Sequence, residues 1–237
     1  SRLLDYSSSK KKLMTFPGYE DPIYALYDSE IIEAVEDWNK RFKQYKNTPG
    51  HSDLDPNLFK SLLLQESGSR KHWGKIRDMA QVARDYGLKV LRDGLEPGIP
   101  EGGYPRLHGI TSENITPELS IWTGVGFLWH KRTIYNRTTE EYGDPYTYMV
   151  RPGDAIERIA RREGTTREII IKYNPHKRNN PHMLKIGEEL VIRKAKNVWK
   201  PKRFRSWKEA LALYNGGGTP GYANTVWNRY LQGYYKH

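Results

Sequence analysis

Apolar residues recur at helical spacing along much of the first half of the chain. The apolar positions of the first such stretch are Ile31, Val35, Trp38, Phe42 and Tyr45. Because alternating steps of four and three residues stay on one helical face, this spacing predicts a long helix. Ser29 is suited to be its N-cap, and Thr48-Pro49-Gly50 is predicted to end it.

The segment from Leu58 to Ser67 is predicted to be a buried helix that ends on a carboxylate. Leu58, Leu62 and Glu66 are spaced four residues apart and therefore share one face. Its predicted N-cap, first helical residue and stop signal are Asp55, Pro56 and Gly68. Desolvation on this face would raise the pKa of Glu66, as a general acid requires. The alternative is a glutamate at a frayed helix end that extends into solvent.

The rest of the first 145 residues divides into loops and one further helix. We predict loop and short helix from Lys75 to Tyr86, and a long Gly- and Pro-rich loop from Leu88 to Gly109, which has no sustained apolar period. An apolar face from Pro117 to about Asn136 predicts another helix. Tyr142-Gly143-Asp144-Pro145 is a turn signal and a candidate domain boundary.

A change of pattern after this boundary indicates a second, small unit. Alternating apolar residues predict strands around Tyr148 and Leu190, and helical spacing predicts two helices between them. Asn174-Pro175 is predicted to end the second helix. The resulting order is strand, helix, helix, strand.

Composition limits the function classes. The chain has 237 residues, 37% of them hydrophobic, and a mean hydropathy of −0.83. No apolar run approaches the roughly 18 residues of a membrane span, and no secretion signal is visible in residues 1–22, a polar lead expected to be poorly ordered. There is no cysteine. The formal net charge of +11 suggests a polyanionic partner such as nucleic acid, acidic lipid or an anionic wall polymer.

The second unit resembles a LysM domain. The resemblance lies in VRPGDAIERIARREGTTREIIIKYNP followed by LKIGEELVI. It implies binding of glycans that contain N-acetylglucosamine, in a groove formed by the first strand–helix loop and the second helix–strand loop. The residues implied are Gly153, Asp154, Ala155, Ile156, Asn174 and Pro175. Ala155 stands where the family usually has Thr, and Asp154 has the alternative role of an N-cap.

The remainder of the chain resembles the catalytic domain of soluble lytic transglycosylases, which have a goose-type lysozyme fold. The matching segments are LLLQESGS with Glu66 and Ser67, RDMAQV with Gln81, ITPELSIWTGVGFL with Gly124, and EALALYNGGGTPGY with Tyr214 and Asn215. A final helix carrying Tyr222, Val226 and Tyr230 follows, as in the family. Three positions depart from the family pattern: Asp78 replaces Gly, Ala80 replaces Met and Ser120 replaces Asn.

This resemblance implies non-hydrolytic cleavage of peptidoglycan by a single glutamate. Glu66 would act first as acid and then as base, with Tyr214 orienting it. Gln81 and Asn215 would bind sugar groups; Ser67, also assigned to substrate binding, would support the helix end rather than react, because no basic residue accompanies it. The alternatives are a packing aromatic for Tyr214, a helix cap for Asn215 and a solvated side chain for Gln81.

The sequence thus predicts a mainly α protein. Its lysozyme-like domain, formed by residues 23–142 and 196–237, is interrupted by a βααβ LysM domain at 146–195. We expect peptidoglycan strands as the partner, no cofactor or metal, no membrane span and a periplasmic or cell-envelope location. We expect no nucleic acid as a partner, because no RNA- or DNA-binding motif accompanies the positive charge. Two further functions stay open: a hydrolytic muramidase, and a non-catalytic wall-binding component of a secretion or phage-tail machine. A cognate inhibitor is a further possible partner.

Overall fold

The computed structural model describes residues 12–84 and 86–236. The predicted polar lead falls outside the described residues as far as residue 11. From residue 12 onward it differs from the prediction, because Leu13 and Phe16 are buried and Thr15 pairs with Tyr234 in an isolated β-bridge. Two apolar side chains in a polar segment were enough to attach it to the core.

The chain forms two compact units. Among the described residues, unit 1 comprises those up to 135 and those from 201 onward, and unit 2 comprises residues 136–200. The helices of unit 1 are α1 (Asp28–Phe42), α2 (Pro56–Ser67), α3 (Tyr86–Asp93), α4 (Pro117–Arg132), α7 (Trp207–Tyr214) and α8 (Tyr222–Leu231). Unit 2 contains α5 (Ile156–Glu163) and α6 (Arg167–Tyr173). Two long strands, β1 (Thr133–Met149) and β2 (Glu189–Phe204), pair in a two-stranded antiparallel sheet and continue from one unit into the other.

Helix α4 is the centre of unit 1. Every residue from Ser120 to His130 is buried, and the helix packs against α1, α3 and α7. A helix that is apolar on all sides has to be enclosed by other elements. Gly126 permits the closest of these approaches, because a Cβ there would lie 2.1 Å from the ring of Trp38. The mainly helical character of the prediction is confirmed for the described chain.

Helix α2 has the predicted signals at both ends. The Asp55 side chain accepts a hydrogen bond from the Asn57 amide, Pro56 is the first helical residue, and Gly68 is the C-cap. Leu58, Leu62 and most other α2 side chains are buried between α1 and α8. These contacts hold the last turn of the helix in a fixed place.

Several local predictions differ from the structure. The helix predicted to reach about Asn136 ends at Arg132, because β1 begins at Thr133. Helix α1 starts at Asp28 rather than being capped by Ser29, because the Asp28 carboxylate is held by Lys60 and the Leu13 amide. The predicted loop from Leu88 onward begins instead with α3, whose side chains Leu88, Val90 and Leu91 are buried. Residues 142–145, predicted as a turn, lie inside β1.

Unit 2 has a core of its own. The core residues are Tyr148, Val150, Ile156, Ile159, Ala160, Ile170, Leu190 and Ile192. Thr166 caps α6 by accepting a hydrogen bond from the Ile169 amide, and Asn174 follows its last residue, as predicted. In the described part of the chain, no helix is long and apolar enough to cross a membrane.

Candidate functional site

Glu66 lines a cleft of about 510 Å³ in unit 1. The cleft is also lined by Gln81 and by a second carboxylate, Asp78, so two of the predicted site residues, Glu66 and Gln81, meet in one place. Its other polar side chains include His72, Arg77 and Arg84. A half-buried carboxylate among cations and amides suits the binding of a polar, anionic polymer and the transfer of a proton to it.

The hydroxyl of Tyr222 donates a hydrogen bond to the Glu66 carboxylate. Tyr222 is buried, and both this burial and the negative charge of Glu66 raise its pKa far above the usual range. The hydroxyl therefore stays protonated and remains a donor at physiological pH. The sequence predicts Tyr222 only as part of the closing helix, and no local signal in that segment indicates its contact with Glu66.

The 78–83 turn forms one wall of the cleft and is held by side chains from several helices. Ser67, at the end of α2, is 2% exposed and donates its hydroxyl to the Met79 carbonyl at 2.7 Å. Tyr214, at the end of α7, donates to the Ala80 carbonyl at 2.8 Å. Both residues thus support the turn that carries Gln81. The predicted contact of Ser67 with sugar and the predicted contact of Tyr214 with Glu66 stay predictions.

A close approach between helices makes this support possible. A Cβ at Gly124 would lie 2.6 Å from the Ala80 Cβ and 3.0 Å from the Tyr214 hydroxyl. Any larger residue at position 124 would push the turn or the tyrosine away from α4. The small residues at 80 and 124 therefore set the depth at which the turn lies.

Asn215 lies at the C-cap of α7, where its backbone amide bonds to Leu211. Its side-chain nitrogen is buried and has no hydrogen-bond partner in the described chain. The position agrees with the helix-cap alternative, and its binding of sugar stays a prediction.

The predicted glycan-binding residues of unit 2 divide into buried and exposed positions. Asn174 is 2% exposed and bonds to the backbone of Ile170 and Val191, which ties α6 to β2. Ile156 is a core residue, whereas Gly153 and Pro175 are exposed. The buried positions shape the two loops, and the exposed ones are open to a ligand.

Asp154 is held inside its own loop. Its carboxylate accepts hydrogen bonds from the Tyr148 hydroxyl at 2.6 Å and the Arg151 amide at 2.8 Å, and it pairs with Arg162 at 3.0 Å. The N-cap of α5 is Ala155, so the cap alternative for Asp154 is wrong by one position. Asp154 instead joins the strand end to α5.

Comparison with known families supports the assignment of unit 2. Residues 148–193 are a LysM domain. This domain indicates binding to peptidoglycan or a related glycan and is consistent with an envelope or extracellular location. No curated protein and no solved structure matches the chain. Within the described residues, no group of three or more His, Asp or Glu side chains could hold a metal ion.

Proposed function

We propose that the protein is a peptidoglycan lytic transglycosylase that carries its own wall-binding domain. The observation that carries this proposal is the Glu66 carboxylate, which lines a cleft with Gln81 and is bonded by Tyr222. The LysM domain supplies independent support for the substrate, because it belongs to a glycan-binding family. Delivery to the periplasm or cell envelope follows from that substrate, alone or as part of a secretion or phage-tail assembly.

In the proposed reaction, Glu66 acts twice. It first donates its proton to the glycosidic oxygen between N-acetylmuramic acid (MurNAc) and N-acetylglucosamine (GlcNAc). The acetamido group of the substrate stabilises the positive charge at the anomeric carbon. The Glu66 carboxylate then removes the proton from the MurNAc 6-hydroxyl, whose oxygen bonds to the anomeric carbon and closes a 1,6-anhydro ring without water. The hydroxyl of Tyr222 keeps the carboxylate oriented in both steps.

Asp78 favours a second candidate function, a hydrolytic muramidase. Most glycosidases use two carboxyl groups that flank the scissile bond, one of which can activate water. Asp78 lines the same cleft as Glu66 and is therefore the candidate for the second carboxylate, the one that activates water. The two functions differ in their products, since hydrolysis leaves a reducing end.

Product analysis of digested sacculi tests both candidates. We would compare the wild type with Glu66→Gln, and use Glu101→Gln as a control because that carboxylate is exposed and outside the cleft. Anhydromuropeptides detected by mass spectrometry for the wild type and the control, but not for Glu66→Gln, would support the transglycosylase. Reducing-end products would support the muramidase. Sacculus binding without any product would show a non-catalytic wall-binding protein.

A further inference from the structure

We propose that Asp78 and Ser120 are positioning residues that hold Gln81 in the cleft beside Glu66. The proposal rests on the proposed function, because it assigns these residues a part in glycan cleavage. Both residues differ from the transglycosylase pattern, in which Gly stands at position 78 and Asn at position 120. In the structure the Ser120 hydroxyl donates a hydrogen bond to Asp78, so the two substitutions form one contact.

Three bonds to Asp78 and one to Ser120 form a polar clamp under the turn. Asp78 Oδ1 accepts from the Val82 amide at 3.0 Å and from the Ser120 hydroxyl at 2.7 Å. Asp78 Oδ2 accepts from the Ala83 amide at 2.8 Å. Ser120 Oγ in turn accepts from the Ala80 amide at 2.9 Å. We call these two side chains the Asp78–Ser120 clamp.

The clamp accepts hydrogen bonds from backbone amides of a turn that lies outside any helix or strand. Ala80 is fully buried and Val82 is 2% exposed, so their amides need acceptors inside the protein. The clamp supplies an acceptor to both and to Ala83. Without it, three amides at the cleft wall would have to find water or a different turn conformation.

Gln81 is the residue most dependent on this support. Its φ of 53° is the one positive φ of a non-glycine residue in the described chain, and such a conformation persists only where the surroundings fix it. Its side-chain nitrogen donates to the Asp78 carbonyl at 2.9 Å. Because no donor among the described residues bonds its side-chain oxygen, that oxygen is the acceptor Gln81 can offer to a sugar hydroxyl or acetamido N–H.

The burial of Ser120 shows that it can act on a substrate only by positioning other residues and not by touching the substrate. Ser120 is fully buried on α4 and does not line the cleft, so it can reach a substrate only through the turn. Asp78 lines the cleft but already accepts three hydrogen bonds. A loss of activity on removing the Ser120 hydroxyl would therefore have to act through the clamp.

A double-mutant cycle tests this dependence in the full chain. We would measure kcat and KM on soluble glycan fragments for Ser120→Ala, Gln81→Ala and the double variant. We expect each single change to lower kcat/KM by about tenfold and the double variant to lose no more than the worse single one, because both remove the same contact. The matched control is Thr133→Ala, at the other end of α4 from Ser120, where a buried hydroxyl donates to the Trp129 carbonyl at 2.8 Å and does not line the cleft. It should lower the unfolding temperature while leaving kcat/KM unchanged.

Two results would overturn the clamp: losses that multiply in the double variant, or unchanged kcat/KM in Ser120→Ala. An inactive Asp78→Asn beside a fully active Ser120→Ala would make Asp78 a directly acting carboxylate, whereas matching losses in both variants would support the clamp. If the wild type released no product at all, the proposed function would fail, and a crystal structure of Ser120→Ala would decide on the clamp. Movement of Gln81 out of its positive-φ conformation would support the clamp, and an unchanged turn would overturn it.

Discussion

The hydroxyl of Tyr222 and the carboxylate of Glu66 form the contact on which the proposed chemistry depends. The tyrosine is buried and its pKa is raised, so it donates to the carboxylate and does not compete for its proton. A carboxylate at a helix end has rotational freedom, and a single fixed donor removes much of it. Tyr222 is therefore the residue that we expect to align Glu66 with the glycosidic oxygen.

Tyr222→Phe should lower kcat by about tenfold with little change in KM, because the ring still packs while the orienting donor is lost. Steady-state kinetics on soluble glycan fragments would measure this. Tyr230→Phe is the matched control: it removes a hydroxyl from the same helix, one that donates to Asp55 at 2.9 Å, outside the cleft. Equal kinetics for Tyr222→Phe and the wild type would show that Tyr222 does not orient Glu66.

Local signals explain which site residues the sequence could predict. Asp55, Pro56 and the leucine spacing define α2, and they place Glu66 at its last turn without any tertiary information. Tyr222 lies 156 positions away from Glu66, and nothing in either segment encodes their contact. The Asp78–Ser120 clamp escaped prediction for the same reason, since its two members are 42 positions apart.

At the scale of elements, the two main errors of the prediction concern Gly- and Pro-containing segments: residues 142–145 lie in β1, and the predicted loop from Leu88 begins with α3. Residues 142–145 indicate a turn because Gly143 can adopt a positive φ and Pro145 has no amide proton. In the structure Gly143 does have a positive φ, of 68°. In a ribbon of two strands each strand has a free edge, so both residues can be accommodated within β1. The Gly143 carbonyl even accepts a hydrogen bond from Arg193 at 3.1 Å. Helix α3 escaped prediction because its short apolar face is followed by a Gly- and Pro-rich segment.

The loop between β1 and α5 is predicted to lose stability in acid. Hydrogen bonds from Tyr148, the Arg151 amide and Arg162 hold the pKa of Asp154 below its usual value, although burial of the carboxyl opposes them. A carboxyl whose pKa is lower in the folded state stabilises that state at neutral pH. This contribution is lost as the pH falls through the usual pKa of an aspartate and then through the lower pKa of the folded state.

Hydrogen exchange of residues 148–193 in the full chain, at stepped pH, would measure this loss. Asp154→Asn should exchange faster than the wild type at pH 7 and should show a shallower decline below about pH 5, because the titrating group is gone. Glu189→Gln, an exposed position on β2, is the control and should follow the wild type. An identical acid profile for Asp154→Asn and the wild type would mean that the loop does not depend on the Asp154 charge.

At the scale of the whole molecule, the sequence could separate the two units because each has its own apolar pattern. The predicted module, 146–195, encloses the LysM match at 148–193, whereas the compact unit extends over 136–200. The difference comes from the ribbon, since β1 begins at Thr133 and β2 continues to Phe204. The turn signal at residues 142–145 predicts a boundary there, but the hydrogen bonds between β1 and β2 continue beyond these residues.

Deleting unit 2 tests whether the LysM domain serves the cleft or only the attachment to the wall. Tyr135 and Pro201 lie on the paired strands β1 and β2, so an Asn-Gly turn can join them in place of residues 136–200. We expect binding to whole sacculi to weaken by about tenfold or more, because the variant has lost the LysM domain and the avidity that this domain would add to the proposed cleft. The cleavage rate on small soluble fragments should stay within about twofold of the wild type, since all the residues that line the cleft belong to unit 1. Circular dichroism would first establish that the variant is folded. An equal loss on sacculi and on fragments would show that unit 2 is needed for the cleft itself, and unchanged binding to sacculi would place the main wall contact in unit 1.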